Sequence, residues 1–155
     1  MSDIEKNKEL CVKYPFLIPR NVFTDEIPEG YDYSYTRLDD FEPGWKISFG
    51  EQLCEELKEA LEKANYLEEF RFTDIKEKWG TLHLYNFGCN QESWDVIHKY
   101  EKASRYICGH CGKPATKVST GWIYPYCDEC ADKFAKYEYF ADINDFYGRD
   151  DDGNN

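Results

Sequence analysis

No stretch of the 155 residues approaches the ~18 consecutive apolar positions that a membrane-spanning helix needs. The opening residues Met1-Ser2-Asp3-Ile4-Glu5 hold no basic region followed by an apolar block, so a secretory signal is not expected. Basic residues are scarce: 19 Lys and Arg stand against 31 Asp and Glu, a formal net charge of -12. That balance argues against the phosphate-neutralising contacts of general nucleic-acid binding. Catalytic signatures are missing too. The chain has no Gly-rich phosphate cradle and no nucleophile elbow. A zinc deaminase would show His-x-Glu and then Pro-Cys-x-x-Cys, whereas Tyr126 separates Pro125 from Cys127. His83, His98 and His110 are dispersed, and no enzyme is expected.

What is present suffices to fold. Hydrophobic residues make up 41% and aromatics 17%, too much large apolar surface for a disordered chain. The acidity is uneven: residues 31–80 carry thirteen acids against seven bases, residues 137–155 six against one, and residues 108–136 three against four. It therefore sits mid-chain and at the tail. It serves solubility or faces a basic partner.

Ser2-Asp3-Ile4-Glu5 has the spacing of a capping box, predicting a short helix that stops near Tyr14-Pro15. Four prolines punctuate residues 14–44, predicting irregular, extended chain. Within it, Tyr31, Tyr33 and Tyr35 alternate with Asp32 and Ser34, the period of an edge strand or of a segment draped over the core. From Trp45 to Asn65, Phe49, Leu53, Leu57, Leu61 and Ala64 recur at helical spacing. Phe70-Arg71-Phe72 and Thr81-Leu82-His83-Leu84-Tyr85 alternate like strands about a Gly80 turn. A second amphipathic helix is predicted from about Gln91 to Ile107, with Trp94, Ile97, Tyr100 or Glu101, Ser104 and Ile107 along one stripe. Residues after about 139 end in Asp150-Asp151-Asp152-Gly153-Asn154-Asn155 and read as a frayed tail.

Seven cysteines are present, and the last four read Cys108-Gly109-His110-Cys111, fifteen residues, then Cys127-Asp128-Glu129-Cys130. Two residues between cysteines let both sulfurs turn inward around one knuckle. Two knuckles then supply four thiolates in a tetrahedron, which suits Zn²⁺. A closed shell of four thiolates leaves no position for water, so the expected zinc is structural. Between the pairs, residues 116–119 and 122–124 predict a short hairpin, and a helix follows from near Asp128: the order of a zinc ribbon. His110 is not needed as a ligand. Cys54 falls beside the apolar stripe of the central helix and reads as core, while Cys11 and Cys89 lie near element ends.

The run Ile75-Lys76-Glu77-Lys78-Trp79-Gly80-Thr81-Leu82-His83-Leu84-Tyr85 resembles the signature of a family of small zinc-ribbon proteins of bacteriophages, prophages and bacteria. The resemblance spans about residues 14–131 and includes Gly121-Trp122 between the cysteine pairs. It implies a phage or mobile-element protein acting in the cytoplasm of a bacterial host cell, and it implies no activity. The family's usual Arg after Leu82 is His83 in this chain. A weaker likeness, to zinc-finger regulators that enter the secondary channel of RNA polymerase, lacks their long coiled coil.

The hairpin itself gathers Lys76, Lys78 and Arg71, with Trp79 and Gly80 at its tip. An aromatic there can anchor a partner. The alternative, which the residues favour, pairs Lys76 and Lys78 with nearby Glu and turns Trp79 inward.

The expected architecture is α+β: two amphipathic helices with a β-hairpin in residues 1–107, a four-cysteine zinc ribbon in 108–138, and an acidic tail in 139–155. The ribbon is expected to dock on the second helix, whose Ile107 leads straight into Cys108. The expected function is a non-enzymatic zinc-binding interaction protein. Its partner would be a nuclease, a polymerase or a defence complex, met by acidic surface as an inhibitor or anti-defence protein. Candidate contacts are Tyr31, Tyr33, Tyr35, Asp39, Asp40, Lys76, Lys78 and Trp79. The alternative is a nucleic-acid-binding accessory or transcription regulator that uses Lys113, Lys117 and Trp122.

Overall fold

The computed structural model describes residues 1–148. Helix α1 (Asp3–Lys13) opens on the Ser2/Glu5 capping box and ends where Tyr14 precedes Pro15. A tight 3-10 turn at Pro15–Leu17 then drives Phe16 and Leu17 into the core. Residues 18–36 run irregularly to a second 3-10 turn at Arg37–Asp40, capped by Thr36. The central helix begins as α2 (Pro43–Trp45), passes through a π-helical turn at Lys46–Gly50 and continues as α3 (Glu51–Lys63). Trp45, Phe49, Leu53, Leu57 and Leu61 line its buried side, every fourth residue, as the periodicity predicts.

Strands β1 (Arg71–Lys78) and β2 (Thr81–Phe87) pair antiparallel, and α4 (Gln91–Ser104) follows. A two-stranded sheet leaves an open edge of unpaired N–H groups. Side chains of α4 close it: Leu82 N–H donates to Ser104 Oγ at 2.9 Å and Leu84 N–H to Glu101 Oε2 at 2.8 Å. The buried face of α4 is Ser93, Ile97, Tyr100 and Ser104. Trp94, predicted on that stripe, instead lies outside and stacks on His98 at 4.6 Å. Phe16 meets Phe70 and Phe72 edge-on at 5.7 and 5.6 Å, joining the first turn to the hairpin.

The C-terminal part is a second small sheet in the order β4-β3-β5, from β3 (Lys117–Ser119), β4 (Tyr124–Tyr126) and β5 (Phe140–Asp142). Helix α5 (Asp128–Phe134) follows β4, and α6 (Ile143–Tyr147) follows β5. The tail expected from residue 139 is thereby corrected over its described part. Lys117–Ser119 pairs on both sides, and Ile143 is buried beside Ala115 and Val118. An acidic composition did not prevent this, because a few buried apolar residues and one strand's hydrogen bonds anchor the segment. The run Asp150 to Asn155 lies outside the described residues. The fold is α+β, with two small antiparallel sheets and a four-cysteine cluster of zinc-ribbon kind.

Candidate metal centre

Cys108, Cys111, Cys127 and Cys130 bring their sulfurs within 4.8 Å of one another, with Cys111 Sγ and Cys127 Sγ at 3.6 Å. A tetrahedral ion with bonds of about 2.3 Å to sulfur sets its ligands about 3.8 Å apart, so the cluster has the size of a metal site. All four are free thiols, and three are buried. Burial works against the Cys108 thiolate. Backbone N–H groups of Cys127, Cys111 and His110 directed at its sulfur outweigh that and hold its pKa below the ordinary thiol range. Cys130 N–H likewise reaches Cys127 Sγ at 3.4 Å. Donors aimed at sulfur are what negatively charged ligands need around them. Burial pushes Cys127 and Cys130 upward.

Local sequence makes each knuckle. Gly112 turns back at φ 84°, which Gly accepts without strain, and its N–H returns to the Cys108 carbonyl at 3.0 Å. Cys127 caps α5, so the second pair straddles a helix start. His110 stands outside the sulfur cluster. Its ring stacks on Phe134 at 4.3 Å between Tyr124 and Tyr126, and burial lowers its pKa.

The ribbon meets the end of the expected second helix at Tyr106, which packs on Ala115, Val118 and Ile143, but its first knuckle docks on the start of the central helix. Gly44 N–H donates to the Gly109 carbonyl at 2.7 Å, and the Trp45 indole donates to the Ile107 carbonyl at 3.0 Å. Tyr124 stacks against Trp45 and donates its hydroxyl to Glu42 at 2.6 Å, which with burial pushes its pKa far up. Nothing in the local sequence marks Glu42, Gly44 and Trp45 as a docking element. Pro43-Gly44 reads there as punctuation, and only the close backbone approach reveals its use.

The other candidate residues are scattered. Tyr31, Tyr33 and Tyr35 form no strand. Their rings pack on each other at 4.8 and 5.3 Å, and Asn7 of α1 donates to the Tyr33 carbonyl, so the segment is draped over α1. Asp39 completes the cap at Thr36 and pairs with Lys46. Asp40 pairs with Arg37, and its pKa is raised by burial against that pairing. These acids are engaged within the fold. Lys113 and Lys117, the basic patch of the alternative reading, face Glu129 at 3.4 Å and Asp128 at 3.7 Å. Lys76 pairs with Asp74 at 3.2 Å, and the described residues give Lys78 no ion pair. Trp79 does not pack inward: it is 69% exposed at the hairpin tip.

Of the three remaining cysteines, Cys11 and Cys54 are core residues whose pKa values burial raises. Cys89 is half-buried beside Ser93. Compared with protein-family models, with curated proteins and with solved structures, the chain matches none. No helix among the described residues is long and apolar enough to cross a membrane.

Proposed function

We propose that this chain is a non-enzymatic interaction protein, held together by a structural zinc ion, that grips a protein partner with two tryptophan-bearing hairpin tips. Four thiolates would hold Zn²⁺ in a closed shell, so the metal supplies stability and no reaction. The resemblance of Ile75 to Tyr85 to a signature of phage-type zinc-ribbon proteins suits a mobile-element protein of a bacterial cell.

The backbone of Trp79 carries the reading. Lys78 pairs with Thr81, so Trp79-Gly80 is a two-residue turn with φ of 57° and 74°. Both values are positive, as the favoured tight hairpin turn requires, and Asn or Gly suits the first position far better. A bulky residue there is strained, and strain kept at an exposed place points to use. Gly80 abuts Ile123, so the tip touches the ribbon's own hairpin turn, where Trp122 is 71% exposed. Two large rings are therefore offered from adjoining turns. A net charge of -12 suits a basic partner, such as a nuclease, polymerase or defence complex that normally grips nucleic acid.

The test is capture from a bacterial host lysate with metal-loaded protein, run beside Trp79→Asn and Trp122→Ala. The reading expects a basic nucleic-acid-handling protein on the parent and its loss on both variants. Recovery of chaperones alone, or capture that ignores both changes, overturns it.

A further inference from the structure

The solvent face of the β1–β2 hairpin collects a set of groups unlike the rest of this acidic molecule. Cross-strand register places Lys76 opposite His83, Asp74 opposite Tyr85 and Arg71 opposite Phe87, and directly opposed residues share a face. The contacts agree. Lys76 Nζ lies 5.3 Å from the Tyr85 ring centre, and His83 stacks on Tyr85 at 6.0 Å. Tyr85 and Phe87 are 41% and 49% exposed, so neither ring is used by the core. Alternate residues on a strand recur about 6.8 Å apart, which leaves each ring room for its own planar ligand.

We propose that this face is a platform for single-stranded nucleic acid. Bases stack on Tyr85 and Phe87, and Lys76 and Lys78 meet the phosphates. Aromatic rings interleaved with cations are the chemistry that binds unpaired strands without reading sequence. Duplex bases are already stacked and offer these rings nothing.

Arg71 is neutralised by Asp25 through bonds of 2.7 and 3.2 Å. Asp74 is the carboxylate on the face, and its pair with Lys76 is exposed on both sides, hence weak and exchangeable for phosphate. Glu77 is turned to the hairpin tip, where it accepts the Gly80 N–H at 2.8 Å. With Lys78 free of ion pairs among the described residues, the face carries a small cation surplus. The overall charge of -12 opposes long-range attraction, so binding is short-ranged and stacking carries it.

Fluorescence anisotropy with short dT and U oligonucleotides and the matching duplex tests this on the metal-loaded full chain. Both single strands are expected to bind and the duplex not; a preference between dT and U assigns DNA or RNA. Two phosphate contacts give a slope of log affinity on log salt of about -1.4, and Lys78→Ala halves it to about -0.7. Tyr85→Ala and Phe87→Ala each weaken binding about tenfold, whereas Tyr85→Phe does not. Circular dichroism melting confirms that each variant is folded. Absence of binding at about 50 mM salt, or equal affinity for duplex and single strand, overturns the proposal. So does binding by folded Tyr85→Ala at parental strength. Trp79→Asn, which tests the protein contact, leaves oligonucleotide affinity unchanged, so the two readings fail separately.

Discussion

The backbone N–H of Gly44 donates to the carbonyl of Gly109 at 2.7 Å, tying the first turn of the central helix to the first cysteine knuckle. A methyl group on Gly44 would lie 2.0 Å from the Cys108 carbonyl oxygen and 2.7 Å from the Gly112 nitrogen. Both are backbone atoms, which cannot swing aside.

Gly44→Ala is therefore expected to cost about 2–3 kcal/mol of stability by forcing the knuckle off the helix. Gly50→Ala is the control, since its methyl meets side chains and no backbone: the end of Leu38 at 3.1 Å and Lys46 at 3.6 Å. It should stay within about 1 kcal/mol of the parent, helped by the better helix propensity of Ala. Urea midpoints measure both, and equal values would contradict the docking account.

With the proposed zinc in the four-cysteine site, chelation should unfold the ribbon, because binding free energy at such sites is folding free energy, about 10–16 kcal/mol in small zinc modules. The hairpin β1–β2 has its own core partners in Phe72, Ile75, Leu82 and Leu84. Hydrogen exchange should thus lose protection in residues 108–147 while the β1–β2 amides keep theirs. Native mass spectrometry of the purified chain should find one zinc; metal-free protein with full protection would refute the site.

Trp79→Asn should stabilise the protein while removing the proposed partner contact. Asn tolerates the left-handed backbone that Trp79 adopts at φ 57°. Relief of that strain is worth about 1 kcal/mol. For a chain of this size that raises the melting temperature by about 2–4 °C. A lower melting temperature would mean that the indole stabilises the fold, against its role as a presented group.

The closed edge of β2 gives a prediction with a pH signature. Ser104→Ala leaves the Leu82 N–H buried without its acceptor and should cost about 1–3 kcal/mol. Glu101 is different. Burial raises its pKa, outweighing the Leu84 N–H and the nearby His83, His98 and Arg105. A raised carboxyl pKa means that the folded state holds the proton more tightly than the unfolded one. Its contribution is most favourable below the ordinary Glu range and is lost as pH rises through the raised value. Glu101→Gln keeps an acceptor for Leu84 without the buried charge. It should be more stable than the parent at pH 7 and converge with it in acid, read from denaturation at a series of pH values.

Much of this molecule was legible in the order of its residues. The Ser2/Glu5 cap, the every-fourth stripe from Phe49 to Leu61, the Gly80 turn and the two cysteine pairs all depend on neighbours within one turn or one knuckle. Their physics is local, so spacing alone determines them, and the α+β class follows. Residues far apart in the chain are another matter. Glu42 and Tyr124 are 82 positions apart and meet through one hydrogen bond. Nothing in the residues around either names the other.

The same limit explains the corrections. Whether Trp79 faces in or out depends on what packs beside the tip, and there Ile123 of a different hairpin abuts its neighbour Gly80. Whether residues 140–147 fray depends on β3 having a free edge to offer them. Tyr31, Tyr33 and Tyr35 alternate like a strand, but among the described residues they pair with none and instead fold onto α1 and one another. By itself the sequence determined the four-cysteine cluster, the main helices and the hairpins, because cysteine spacing, capping and periodicity act over a few residues. Only the tertiary structure decided which charges are spent inside the fold, where the ribbon docks and which aromatic rings are left facing water, because each is an outcome of packing between segments that the chain order keeps apart.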